Sequence, residues 1–266
     1  MKPIAALTRD EAAGIRYVLT DIDDTITTDA KLLPDAYAAL WTLKAAGLRI
    51  IPVTGRAAGR CDIIAREWPV DGILAESGAV AFWEESLAGG RRVLRQEPHP
   101  GAVRNTHPAL ARIRERALVE VPGIKPAKDQ FSRLYDMSLD YAEEEPVLSY
   151  AEAEKARQIA LEEGARANIS SIHVNVWMGH YDKLSMAEWF LARYFGWQAG
   201  AGDREVFYIG DAPNDEPLFA RFPLAAAVAN IRRYEGRIRY YPAYVASRQC
   251  GEGFAEIVAA LLEKRR

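Results

Sequence analysis

Asp21-Ile22-Asp23-Asp24-Thr25 packs three carboxylates into five residues. Asp21 and Asp23 are two apart, and in an extended turn both can point into one crevice. Like charges held that close repel, so the pair calls for a cation or a shared proton. Clustered hard oxygen ligands suit Mg²⁺. A calcium loop fails on its own rule. The EF-hand needs Gly at its sixth position and Glu at its twelfth, and counting from Asp21 those places hold Ile26 and Leu32. An acidic turn that only caps the next helix would explain Asp24 and Asp29, but not the polar groups that follow later apolar runs. Thr54 and Gly55, in Val53-Thr54-Gly55-Arg56, offer a hydroxyl and main-chain N–H groups to phosphate oxygens where a helix opens. Lys183 begins another helix and can place a positive charge on the same phosphate. Asp211, in Gly210-Asp211-Ala212-Pro213-Asn214-Asp215, brings a further carboxylate.

These residues need a scaffold that gathers them, and the apolar pattern supplies one. Arg16–Thr20, Leu48–Val53, Gly72–Ala75 and Val206–Ile209 read as short buried strands. Ala225–Val228 and Tyr244–Ala246 read as two more. Helices are predicted over Pro34–Ala46, ended by Gly47, from Thr54–Gly55 to about Trp68, over Asp182–Phe195 with Gly196 as C-cap, and over Phe254–Leu262. Strand–helix alternation predicts a parallel, doubly wound, Rossmann-like α/β core. In such sheets ligands bind at the carboxyl ends of strands, where Asp21, Thr54 and Asp211 fall.

Between the two halves the rhythm changes. Val80–Trp83 and Arg92–Leu94 read as a hairpin around Gly89 and Gly90. Thr106–Val119 and a helix begun by a Ser149/Glu152 capping box accompany the alternating strands Leu134–Leu139 and Ile172–Val176. The predicted division is therefore core 1–83, an inserted α+β unit 84–177, and core 178–266.

The order of the motifs resembles the haloacid dehalogenase superfamily of phosphohydrolases. Its Asp-x-Asp-x-Thr motif is matched by Asp21, Asp23 and Thr25, its Thr/Ser by Thr54, its Lys by Lys183, and its Gly-Asp-x-x-x-Asp by Gly210, Asp211 and Asp215. An insertion between the second and third motifs is where the branch with a large α/β (type II, C2) cap carries it. That branch includes sugar-phosphate, sucrose-phosphate and mannosyl-3-phosphoglycerate phosphatases and phosphomannomutases. Gly210–Phe219 and Gly251-Glu252-Gly253-Phe254 are most similar to mannosyl-3-phosphoglycerate phosphatase. Asp24 stands where Gly is common, and Glu76-Ser77-Gly78 where the branch often has Glu-Asn-Gly.

The resemblance implies a Mg²⁺-dependent phosphatase acting on a small phosphate monoester, a sugar phosphate or phosphoglycerate derivative, through an aspartyl-phosphate. It makes Asp21 the nucleophile and Asp23 the general acid and base. It assigns the metal to Asp21, the main-chain carbonyl of Asp23 and Asp211, with Asp215 holding metal-bound waters. Thr54, Gly55, Lys183 and Asn214 would bind the phosphoryl group, Asn214 by orienting Lys183 or a phosphate oxygen. A phosphomutase uses the same chemistry and is the alternative. A non-catalytic protein that binds a phosphorylated metabolite is the other, although it would be expected to lose Asp21 or Asp23.

Other residues receive plainer readings. Lys125, Lys128 and Arg133 read as solvated charge, with a second anionic group of the substrate as the alternative. Arg56 reads as helix surface, His173 as a packed histidine, Trp177 and Trp189 as core, and His180 as a candidate for the mouth of the site.

Composition narrows the partners. The 266 residues are 49% hydrophobic and 27% charged, with a formal net charge of −3. No basic stripe calls for nucleic acid, and no run of about eighteen apolar residues calls for a bilayer. Met1–Arg16 lacks a basic start followed by an apolar stretch, so no signal peptide is read there. Cys61 and Cys250 are too few for a disulfide scaffold and suit a reducing, cytoplasmic setting. The expected partner is a small phosphorylated metabolite.

Overall fold

Strands buried on both faces read as continuous apolar runs, and the runs named above do form a parallel sheet. The computed structural model describes residues 1–266. From the N-terminus come β1 (Lys2–Pro3), α1 (Arg9–Ala13), β2 (Tyr17–Thr20), α2 (Pro34–Ala45), β3 (Arg49–Pro52), α3 (Ala58–Glu67) and β4 (Ile73–Ala75). A hairpin follows, β5 (Val80–Ser86) and β6 (Arg92–Pro98). The middle of the chain holds α4 (Pro108–Glu120), β7 (Lys125–Pro126), β8 (Asp136–Asp140), α5 (Tyr150–Glu162), β9 (Arg166–Ile169) and β10 (His173–Trp177). The remainder is α6 (Lys183–Phe195), β11 (Val206–Gly210), α7 (Glu216–Arg221), β12 (Leu224–Ala227), β13 (Tyr244–Val245) and α8 (Cys250–Arg265).

Six strands in the order β1-β13-β12-β11-β2-β3 make one sheet, every pair parallel. Successive side chains leave a strand on opposite faces. Val18, Ile50 and Phe207 therefore pack on one side with residues of α2, α3 and α8. Tyr17, Leu19, Ile51 and Tyr208 pack on the other with residues of α6 and α7. This is the doubly wound core.

β4 departs from the expectation of a third parallel strand. It touches the sheet through a single parallel bridge, Val53↔Leu74, and forms its ladder antiparallel to β5. β5 pairs with β6 from Val80↔Pro98 to Ser86↔Arg92. Position 84 thus lies inside a ribbon that continues from β4.

The antiparallel sheet β7-β8-β10-β9 has its own core. The buried members of that core all fall between Leu110 and Val176 and come from this sheet, from α4 and α5, and from residues next to their ends. The capping box of α5 is present, with Ser149 accepting from the Glu152 N–H. The two chain segments that lead into and out of this unit meet at a bridge, Ala102↔Gly179. There the His180 N–H donates to the Gly101 carbonyl at 3.1 Å. Gly179 has φ +104, and a Cβ on it would lie 2.3 Å from the Gly101 oxygen, so both the turn and the close approach require glycine. No helix is long and apolar enough to cross a membrane.

Candidate active site

Asp21 follows β2 directly, and its N–H donates to the Ile209 carbonyl at 2.8 Å, extending the β2/β11 ladder by one bond. The chain then turns tightly around the Ile22 carbonyl, which accepts from the N–H groups of Thr25, Ile26 and Thr27. Ile22 and Ile26 are buried in the core, which leaves Asp21 and Asp23 on the cleft side. Asp24 has φ +58, in the left-handed region that glycine enters freely and Asp tolerates better than most residues. That is why Asp can stand where Gly is common. The Asn230 side-chain amide holds this turn by donating to the Asp24 carbonyl at 3.0 Å.

Lys183, the first residue of α6, is buried, and its ammonium donates to Asp21 Oδ1 and Asp215 Oδ1, each at 2.7 Å. Asp182 caps the helix by accepting the Ser185 N–H at 2.8 Å, so the turn that carries Lys183 is fixed. Burial alone would pull the ammonium's pKa down, but the two carboxylates outweigh it and the net shift is upward. The phenolic O–H of Tyr208 and the N–H groups of Asp211 and Ala212 also donate to Asp215. Asp215 is thus saturated by protein. Gly210 is the residue that allows this fold-back, since a Cβ there would lie 2.4 Å from Asp215 Oδ2.

Asp211 accepts from the Thr25 hydroxyl at 3.1 Å. Burial, with repulsion from Asp215 and Asp21, pushes its carboxyl well above the usual range. Asp21 is raised to about 7, first by burial, against the pull of Lys183. Carboxylate oxygens of Asp21, Asp211 and Asp215 lie within 4.8 Å of one another, and the Lys183 ammonium bonds only two of the three. That surplus of buried negative charge fits a hard divalent cation. Asp21 and Asp211 each have one oxygen engaged by Lys183 or Thr25 and one turned to no protein donor.

Thr54 is fully buried and lies in a loop, not in a helix as expected, because α3 begins only at Ala58. Its Oγ1 accepts the Arg56 N–H at 3.1 Å. Gly55 runs beneath Asn175, whose Nδ2 would lie 2.7 Å from any Cβ placed there. Asn175 is oriented by the Ser138 hydroxyl, which donates to its Oδ1 at 3.0 Å. Asn214 lines the same cleft with Oδ1 buried and unpartnered. It does not touch the Lys183 ammonium, whose partners are Asp21 and Asp215.

Arg56 corrects the surface assignment. Only 12% of its side chain is exposed, and it holds both oxygens of Asp23, Nη2 at 2.6 Å from Oδ1 and Nε at 3.2 Å from Oδ2. The three cations considered for a second anionic group are each engaged. Arg133 is buried between Asp129 and Asp136, Lys128 pairs with Glu144, and Lys125 donates to the Glu145 carbonyl. Arg60, which the sequence did not single out, is the half-exposed cation of the cleft, 3.8 Å from Asp129. His173 is buried at the cleft wall with Nε2 2.8 Å from Glu143. His180 is exposed and does not line the cleft. Trp177 is core, and Trp189 is half-buried against Tyr194. Only two of the cleft's fifteen lining residues are hydrophobic, which suits a strongly polar ligand.

No family model and no curated protein matches the sequence. Solved structures do match. A haloacid dehalogenase-like hydrolase from Bacteroides thetaiotaomicron superposes with a TM-score of 0.64 at 14% identity, over 92% of this chain and 98% of that one. The sucrose-phosphatase of Synechocystis, solved with sucrose and phosphate, gives 0.61 at 14% over 92% and 97%. A protein of Thermoplasma acidophilum gives 0.67 at 16% over 93% and 98%. The fold is that of the haloacid dehalogenase superfamily. The likeness spans both the α/β core and the smaller antiparallel unit, since more than nine tenths of each chain is covered. Asp21, Lys183 and Asp211, read from sequence as that superfamily's motif residues, stand together at one edge of the core sheet, and the parallel pairing of β2 with β3 brings Thr54 to the same edge.

Proposed function

We propose that this chain is a Mg²⁺-dependent phosphatase of small phosphate monoesters. The observation that carries the reading is Lys183. A buried ammonium joins Asp21 to Asp215 at 2.7 Å each, beside Asp211 and above a polar cleft. A buried charge cluster of this kind is costly to keep for stability alone, and it assembles what phosphoryl transfer needs, a nucleophile and charge neutralisation.

In this reading the Asp21 carboxylate attacks phosphorus and the ester P–O bond breaks, leaving an aspartyl-phosphate. Asp23 gives its proton to the departing alkoxide, then takes one from the water that attacks the aspartyl-phosphate. Inorganic phosphate leaves and the Asp21 carboxylate is restored. Lys183, the Thr54 hydroxyl and the Gly55 N–H receive the phosphoryl oxygens where charge develops. Asp215 holds Lys183 and the main chain of Asp211 and Ala212 in place. Asp21, the Asp23 carbonyl and Asp211 would hold Mg²⁺, which would supply charge neutralisation for the phosphoryl group.

The polar cleft supports a substrate with a hydroxyl-rich leaving group, a sugar phosphate or phosphoglycerate derivative. The likeness to the sucrose-phosphatase supports it too. Phosphate release from p-nitrophenyl phosphate and a panel of sugar phosphates tests the reading. Asp21→Asn should abolish turnover while leaving Lys183 paired to Asp215, and full activity in that variant would overturn the mechanism. A requirement for a sugar bisphosphate would mark a mutase instead.

A further inference from the structure

Arg133 lies in the segment leading to β8 and is only 4% exposed. Nε and Nη2 meet Asp129 at 2.9 and 3.2 Å, and Nη1 meets Asp136 at 2.9 and 3.0 Å. Those carboxylates do not account for all of its bonds. Nη1 also donates, at 3.0 Å, to the main-chain carbonyl of Gly55, on a loop 78 residues earlier in the chain.

That loop has three successive carbonyls, and each is held. Thr54 O accepts from the Ser77 N–H at 3.0 Å, Gly55 O from Arg133, and Arg56 O from the Glu76 N–H at 3.0 Å. Glu76 and Ser77 sit at φ +49 and +56, a costly region for residues with side chains that persists only where its surroundings enforce it. The Glu76 carboxylate in turn accepts the N–H groups of Leu134, Tyr135 and Asp136, the three residues after Arg133. One wall of the loop is therefore the Glu76–Ser77 turn, and the other arrives with residues 129–136. A peptide unit is planar and trans. Fixing the Gly55 carbonyl fixes the opposed N–H of Arg56, which donates to Thr54 Oγ1 and so leaves the hydroxyl hydrogen to point elsewhere.

We infer that Arg133 is a positioning residue for the phosphate cradle: by pinning the Gly55 carbonyl, and with it the Arg56 N–H that Thr54 Oγ1 accepts, it aims the Thr54 hydroxyl from the inserted unit, while the Ser77 N–H on the Thr54 carbonyl sets the Gly55 N–H beside it, so that docking of residues 129–136 and phosphate affinity are linked. The inference rests on the reading of Thr54 and Gly55 as phosphate ligands.

The test is the affinity of the full chain for inorganic phosphate in the presence of Mg²⁺, read by calorimetry, beside KM and kcat on p-nitrophenyl phosphate. Arg133→Lys keeps a cation between Asp129 and Asp136 but loses the fork that reaches three acceptors. It should weaken phosphate about tenfold and raise KM by a similar factor, the worth of one lost charged hydrogen bond, with kcat changed less. Asp136→Asn leaves the Gly55 bond and should keep phosphate affinity within about twofold, well inside that single-bond loss. Unchanged phosphate affinity in Arg133→Lys, or an equal loss in Asp136→Asn, overturns the inference. Should Arg133→Lys fail to fold, Arg133→Gln combined with Asp129→Asn and Asp136→Asn removes the guanidinium together with its buried counter-charges, and the same loss is expected. If the wild type binds phosphate, the variant weakens it and no ester is hydrolysed, the phosphatase reading falls and this one stands. If the wild type binds no phosphate, both fall.

Discussion

Arg56 clasps Asp23, with Nη2 2.6 Å from one carboxylate oxygen and Nε 3.2 Å from the other. The guanidinium is mostly buried, so it fixes where the proposed acid points. Arg56→Ala should lower kcat/KM on alkyl phosphates by about 100-fold, the lower range of a lost general acid. On p-nitrophenyl phosphate, whose leaving group departs without a proton, the loss should be far smaller. A series of leaving groups of graded basicity checks this. Equal losses across the series would remove Arg56 from that role.

Lys183→Met leaves Asp21 and Asp215 without their buried counter-charge. Breaking a buried pair by removing one partner costs roughly 3–5 kcal/mol, and urea unfolding should show a loss of that order. Activity should vanish as well. A variant as stable as the wild type would mean that the two carboxylates take up protons in the folded state without penalty.

The crowding of Asp21, Asp211 and Asp215 around a single ammonium makes a stability prediction apart from turnover. Millimolar Mg²⁺ should raise the melting temperature, because a ligand that binds only the folded state stabilises it by mass action. The rise should be absent in Asp211→Asn. EDTA should silence turnover and Mg²⁺ restore it. A melting temperature indifferent to Mg²⁺ in the wild type would refute the metal assignment.

Gly210→Ala should destabilise the protein by about 1–3 kcal/mol, the usual cost of forcing an extra methyl into a packed site. The new Cβ would meet Asp215 Oδ2 at 2.4 Å. Chemical denaturation measures the loss. Activity should fall too, since Asp215 cannot move without releasing Lys183.

His99 makes a prediction on pH. Burial lowers its pKa below the ordinary 6.5, and its Nδ1 accepts the Gly101 N–H at 3.0 Å, a role that protonation there would end. Between the lowered folded value and the ordinary one, the unfolded chain binds more protons than the folded chain. Stability therefore rises with pH through that window. It is fully present above the ordinary value and declines as pH falls below it. His99→Gln should flatten that part of the stability profile, and an unchanged slope would exclude His99 as its source.

Asp21, Thr54 and Asp211 were readable because each follows a short apolar run, and a parallel sheet brings such run-ends to one edge. Lys183 was readable because it stands at the start of the helix predicted over Asp182–Phe195. Arg56 was misread because its partner lies 33 residues away, and nothing local separates an arginine that turns inward from one that faces water. Arg133 was obscure for the same reason, since its contact with Gly55 spans 78 residues. β4 looked like another parallel strand because its three apolar residues carry no sign of direction. β1, β7 and β9 went unseen: the first two are two residues long, and Arg166–Ile169 alternates too briefly to stand out. The onset of α3 was placed early because Thr54-Gly55 resembles a helix start, while Arg56 is first held by Asp23 through its side chain and by the Glu76 N–H through its carbonyl before the chain winds.

The bridge between Ala102 and Gly179 closes the chain on itself at the base of everything between them. To the rest of the molecule, residues 103–178 are one long loop whose ends already touch. The entropic cost of such a closure grows only with the logarithm of its length. A graft that joins Ala102 to Gly179 through a short turn, or through an unrelated unit with adjacent termini, would therefore face little penalty from length. What the core would lose is the strut from Arg133 to Gly55 and the three N–H groups that Glu76 holds, so whatever is spliced in at that bridge must bring its own brace for Gly55.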